Sequence, residues 1–163
     1  MDTLFTIKPG APLSKMILKL TGDPVSHTAI HHQGYVYHSN YKGVNRVPLK
    51  EFTDEYIIKL CLRPTDERFD DMMVSRLIRR FPLLGGTLYD IPALAYMGAR
   101  FFLKDVFGIS IPKKNLWQVS GMYLCTEFVT DITSEEVDSE LTPYQLFGKM
   151  KQSGKWVERV APE

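Results

Sequence analysis

Hydrophobic and polar positions alternate along residues 4–8, which predicts a short strand ended by Pro9 and Gly10. Leu13, Met16, Ile17 and Leu20 then recur at helical spacing. Pro12 suits the first turn of that helix, where its missing N–H is not needed, and Gly22 suits its C-cap. Residues 26–31 and 35–39 read as two strands around Gln33-Gly34, a hairpin signal. Residues 44–47 form another short apolar run. Residues 55–63, rich in Ile, Leu and Tyr, predict a core strand ended by Pro64.

Downstream the period changes to that of helices. Phe69, Met72, Met73, Leu77 and Phe81 make one apolar stripe, which predicts a helix over 66–81 stopped by Pro82. Its first turns carry Asp66, Glu67, Asp70 and Asp71 and its end carries Arg76, Arg79 and Arg80, as the helix dipole favours. The arginines therefore read as a dipole complement on a solvated face rather than as a phosphate site. Gly85-Gly86 is a loop, and residues 91–104 predict a helix apolar on nearly every side. Residues 127–133 and 143–152 predict two further helices, and 155–160 a closing strand. Helices and strands mix without a βαβ rhythm, so the expected class is α+β with an antiparallel sheet.

Composition narrows the function classes. The 163 residues are 44% hydrophobic and 24% charged, an ordinary globular mixture that excludes disorder along the whole chain. No linker divides them, so residues 1–163 are expected to form a single domain. Lys plus Arg is 20 against 19 for Asp plus Glu, so no global field steers the protein to nucleic acid or an anionic membrane. The start lacks a signal-peptide pattern, and the apolar run 91–103 contains Arg100 and is shorter than the roughly 20 residues of a bilayer span. The expectation is a cytoplasmic protein.

All four histidines, His27, His31, His32 and His38, fall within one short segment. With Gln33-Gly34 as a two-residue turn, His32 pairs with Tyr35, Ala29 with His38 and His27 with Asn40. His27 and His38 then share a face as diagonal neighbours about 7–8 Å apart. Three readings fit this spacing: hairpin histidines without a chemical role, metal ligands, or a catalytic histidine oriented by a second one. The metal reading lacks a matching third and fourth ligand, since no H-E-x-x-H or paired cysteines occur.

The catalytic reading needs a nucleophile. The chain has two cysteines, Cys61 and Cys125, too few for a disulfide framework. Cys61 lies inside an apolar strand run and reads as structural. Cys125 precedes Phe128, Val129 and Ile132 at helical spacing, which puts it at or near a helix start. There the dipole and free N–H groups favour thiolate, and an imidazolium at His27 would favour it further. The alternative for Cys125 is a small buried hydrophobe in a core helix.

Several segments resemble the circularly permuted papain-like hydrolases, the permuted branch of the NlpC-type superfamily that includes lecithin:retinol acyltransferase-like enzymes. Ser14 to Ile30, with Ser26-His27-Thr28-Ala29-Ile30, resembles the opening helix and histidine strand. Gly86-Thr87-Leu88-Tyr89-Asp90 resembles the Gly-x-x-Tyr-Asp element. Tyr123-Leu124-Cys125-Thr126-Glu127-Phe128-Val129 resembles the nucleophile segment, and Thr142-Pro143-Tyr144 the start of the closing helix. The order, histidine before cysteine, is the mark of the permutation.

The resemblance implies a papain-like α+β core in which the cysteine helix packs on the sheet that carries the histidine. It implies Cys125 as nucleophile, His27 as base and His38 as the orienting third member, with Asn40 and Glu127 as rivals for that third role. A histidine at the third position resembles the acyltransferase branch, whereas the other motifs look more like bacterial and phage hydrolases. The implied activity is a thiol hydrolase acting on an amide or isopeptide, or an ester, through an acyl-enzyme. Tyr89 and Tyr123 are expected to wall the cleft, and no cofactor or metal is needed. The expected partner is a peptide, isopeptide or acyl-ester substrate, without nucleic acid. The alternatives are a membrane-associated lipid acyltransferase or phospholipase, favoured by the apolar run 91–103, and a non-catalytic binding protein on the same scaffold.

Overall fold

The computed structural model describes residues 1–88, 90–110, 124–134 and 141–162. Strand β1 (Asp2–Ile7) leads through helix α1 (Pro12–Thr21) into β2 (His27–His32), β3 (Tyr35–Asn40) and β4 (Gly43–Pro48). Helix α2 (Leu49–Glu55) and strand β5 (Ile57–Pro64) follow. Then come α3 (Glu67–Leu84), α4 (Ile91–Phe107), α5 (Cys125–Thr133), α6 (Pro143–Gln152) and β6 (Trp156–Glu158). Among the described residues six strands form one sheet in the order β4-β3-β2-β1-β5-β6, every neighbouring pair antiparallel. The protein is α+β.

Local chemistry explains the elements. Gly22 closes α1 in the left-handed region at φ 70°. Gln33 at φ 49° and Gly34 at φ 78° make the tight turn between β2 and β3, where both central residues need positive φ. Thr142 and Gln145 cap α6 reciprocally: the Thr142 hydroxyl accepts from the Gln145 N–H, and the Gln145 side chain accepts from the Thr142 N–H.

Two expectations need correction. Helix α2 lies where no element was expected, and the predicted strand over 55–63 starts only at Ile57. This helix is seven residues long. It presents only Leu49 and Phe52 to the core, too few to show a period. Pro82 does not stop α3, which continues to Leu84. A proline in the last turn forfeits one hydrogen bond but keeps a helical φ, and burial of Leu84 favours two more residues of helix. The arginines also have partners. Arg76 donates to the Asp131 carbonyl and Arg80 pairs with the Asp131 carboxylate, tying α3 to the end of α5.

The sheet separates two apolar clusters, as alternation requires. Phe5, Ile30 and Leu62 face one way, packed with Met73 and Leu77 of α3, Phe128, Val129 and Ile132 of α5, and Leu146 and Met150 of α6. Leu4, Ala29, Val36 and Cys61 face the other way, against Leu49, Phe52 and Tyr56.

Candidate active site

The hairpin positions two histidines. Strands β2 and β3 pair from His32↔Tyr35 through His31↔Val36 to Ile30↔Tyr37, the register expected of a two-residue turn. The ladder ends there, although β2 begins at His27 and β3 runs on to Asn40. His27 and His38 lie along this unpaired stretch. His27 Nε2 is 3.1 Å from His38 Nδ1, and both rings are buried.

Aromatic rings fix the pair. Tyr56 lies against His27 with ring centroids 5.2 Å apart, and Phe52 meets His38 edge-on at 5.3 Å. Phe52 and Tyr56 are themselves stacked at 4.4 Å. The helix that the sequence did not announce is thus what holds the histidines. Lys8 stands 5.1 Å above the Tyr56 ring and pairs with Glu55.

Cys125 opens α5, 6% exposed, and α5 packs across β2 and β3. Backbone hydrogen bonds from Thr28, Thr126 and Cys125 itself favour its charged form, so N–H groups aim at the sulfur. The Thr28 N–H lies in the plane of the sheet beside His27. The expectation that the histidine face looks onto the cysteine helix is therefore modified. The body of α5 packs on the side opposite the histidines, and only its first residue reaches the sheet plane where β2 and β3 separate. A charge on Cys125 also pushes Tyr56 upward, behind the larger effects of burial and Glu55, to about 12. Tyr56 thus senses the sulfur and touches the base.

Burial works against the expected thiolate–imidazolium pair. Burial pushes the Cys125 thiol up to about 11, outweighing the N–H groups that favour thiolate. Burial, then His38, then Lys8 hold the His27 imidazole well below its ordinary value. Burial brings His38 down to about 4, against an upward pull from a hydrogen bond to Asn45. Desolvation disfavours the charged form of both Cys125 and His27, and it opposes what a short helix end supplies. Cys61 is a contrast only in place: burial pushes its thiol up to about 12 inside β5.

The rivals for the third position are placed as well. Asn40 Nδ2 is 3.3 Å from His38 Nε2, so it stands behind His38 rather than against His27. The Glu127 carboxylate accepts the Leu124 N–H at 2.8 Å, capping its own helix. His31 turns to Asp2, its Nδ1 3.2 Å from Asp2 Oδ2. Tyr89 and Tyr123 lie outside the described residues.

A cavity of about 350 Å³ opens beside His27, walled by Lys8, Pro12, Leu13, Ile17 and Tyr56. A second, of about 250 Å³, lies against His38 and Asn45. Among the described residues no group of three or more His, Cys, Asp and Glu side chains is placed to hold a metal ion, and no helix is long and apolar enough to cross a membrane. Sequence reasoning missed Tyr56 and Asn45. Asn45 had a usable signal, since extending the meander by one strand puts it opposite His38.

No family model and no curated protein matches the chain. A solved structure does: the metalloprotein yiiX from Escherichia coli O157:H7, a DUF1105 protein. It aligns over 99% of this chain and 96% of its own, with TM-score 0.50 and 16% identity, a likeness of fold.

Proposed function

We propose that the protein is a thiol hydrolase of permuted papain-like type, cleaving an amide or isopeptide bond, or an ester, by acyl transfer. The observation that carries this reading is the hydrogen-bonded pair His27–His38 at the point where the sulfur of Cys125 meets the Thr28 N–H. The order of the motifs supports it too, as does a nucleophile on the first residue of a helix.

In this reading the neutral His27 imidazole takes the Cys125 proton as the sulfur attacks the substrate carbonyl. A bond forms from sulfur to carbon, and the oxyanion is received by N–H groups at the α5 start, worth about 3 kcal/mol in such sites. The His27 imidazolium then protonates the leaving group, whose bond to carbon breaks. A water molecule, deprotonated by His27, releases the acid and restores the thiol. His27 Nε2 is occupied by His38, so the working nitrogen is Nδ1.

A second reading, a lipid acyl ester as substrate, draws on the surface of α4. Ile91, Phe102, Val106 and Phe107 are exposed there, and the cavity beside His27 has Pro12, Leu13 and Ile17 in its wall. Electrophilic acyl probes bearing peptide, isopeptide or lipid-ester groups test both readings. Labelling of Cys125, located by mass spectrometry and abolished in His27→Ala, is expected. Turnover that survives Cys125→Ala would remove the thiol mechanism.

A further inference from the structure

In the proposed reaction His27 becomes an imidazolium each time it takes the Cys125 proton, and its ring is buried. The partner hydrogen-bonded to it is another imidazole, His38 Nδ1 at 3.1 Å, not a carboxylate. A cation formed in such a place needs negative potential from its surroundings.

Tyr56 lies where it can supply that potential. Its ring centroid is 5.2 Å from that of His27, with the planes 32° apart, an offset stack. An aromatic face carries negative potential and attracts a cation within about 6 Å of the ring centroid. Against His38 the same ring stands nearly perpendicular, at 5.8 Å and 82°, so the stacked histidine is the one that the mechanism charges. The tyrosine ring is held in this place. Phe52 stacks on it at 4.4 Å with the planes 2° apart, and the Tyr56 N–H donates to the Phe52 carbonyl at 2.8 Å. Tyr56 is buried, so water does little to screen the attraction. The ring already meets one cation: Lys8 Nζ, paired with Glu55, stands 5.1 Å from its centroid.

We infer that Tyr56 is a positioning residue with an electrostatic share in the reaction: the face of its ring stabilises the imidazolium of His27 and so makes His27 a stronger base. Lys8 opposes this as a like charge, and Glu55, paired with Lys8, offsets it. The other titratable groups facing the two rings are His38 from β3 and Cys125 at the start of α5.

The inference rests on the proposed thiol mechanism for its consequence, but the charged state of His27 is measured without turnover. Tyr56→Phe keeps the ring and removes the hydroxyl. Mono-, di- and trifluorinated phenylalanine incorporated at position 56 then drain the ring face of negative potential with little change in size. In Cys125→Ala protein labelled with ¹³C-histidine, the acid titration of the His27 ring, followed by NMR, should move to lower pH with each fluorine, by about one unit over the series. With Cys125 intact, labelling by the acyl probe should fall in the same order, roughly tenfold overall. If Tyr56 only packed against His27, rings of nearly the same size would give the same midpoint and the same rate. Midpoints that do not follow fluorine content overturn the inference whatever the probe shows. Midpoints that follow it, with an unreactive Cys125 in the parent protein, overturn the thiol hydrolase reading and leave the inference standing.

Discussion

The His27 and His38 rings are joined Nε2 to Nδ1 at 3.1 Å and cross at 76°. That bond leaves Nδ1 as the one His27 nitrogen not engaged by His38. It also places the pair between two cavities, one opening at His27 and the other at His38. His38→Gln keeps a hydrogen-bonding side chain there and is expected to cost less probe reactivity than His27→Ala. His27→Ala should approach Cys125→Ala, since an orienting group contributes less than the base. Equal reactivity of His38→Gln and the parent would remove His38 from the mechanism.

Thiol chemistry separates the cysteines by position rather than by resting charge. Both thiols are raised by burial, Cys125 to about 11 and Cys61 to about 12, so iodoacetamide should modify neither quickly in the native protein at pH 6. Cys61→Ala should lower the melting temperature and leave probe labelling intact. Cys61 is 1% exposed and pairs across the sheet with Leu4 in the core, so the expected loss is about 1–2 kcal/mol. Fast alkylation of Cys125 at pH 6 would show a thiolate that burial argues against.

Acid should destabilise the fold through the histidine pair. His38 lies at about 4 in the folded protein, below the ordinary value of 6.5, and His27 lies lower than ordinary as well. The unfolded chain therefore binds more protons between these values, and stability present above pH 6.5 is lost as pH falls towards 4. Urea midpoints measured from pH 7 to pH 4 should show this decline, and His38→Gln should flatten it. An unchanged slope in that variant would assign the decline to other groups.

Gly43 is a backbone requirement at the start of β4. It sits at φ 90°, and a Cβ there would lie 2.0 Å from the Thr87 carbonyl oxygen. Thr87 O accepts from the Val44 N–H at 3.1 Å, and Val44 O accepts from the Gly86 N–H at 3.0 Å, which docks the loop after α3 on β4. Gly43→Ala is expected to cost about 2 kcal/mol or more, combining positive φ with a backbone clash. A melting temperature within a degree of the parent would mean the loop can retreat freely.

Asp2 carries a local ion cluster. Burial pushes its carboxyl up, but hydrogen bonds from His31 and Arg63, together with the Arg63 charge, pull it well below the carboxylate range. Arg63→Ala leaves a buried charge without its two guanidinium bonds of 2.6 and 2.9 Å. The Arg63 side chain is half exposed, so the expected loss is about 1–2 kcal/mol, discounted for screening. Asp2→Asn should cost less, since a half-exposed guanidinium recovers water. The reverse order in chemical denaturation would contradict that account.

Much of this arrangement was written in local sequence. The Gln33-Gly34 turn determined the register of β2 and β3, and side-chain parity then put His27 and His38 on one face. Pro143 with the Thr142–Gln145 cap determined α6, and Gly22 the end of α1. These features rest on contacts a few residues long, so the chain states them directly. Helix α2 was not legible, because two apolar residues on seven show no period; packing of Phe52 and Tyr56 on the sheet decides it. The protonation of Cys125 and His27 was not legible either. A helix start and a neighbouring histidine argue for charge, but burial is a property of the assembled core, and here it outweighs both. The place of Asn45 behind His38 belongs to the pairing of β3 with β4, and the meeting of Cys125 with Thr28 to the packing of α5 across the sheet. The sequence determined which residues could do chemistry and on which side of a hairpin they stand. Tertiary structure decided which of them meet and in what state of charge, because desolvation and cross-sheet distance exist only once the chain has closed around them.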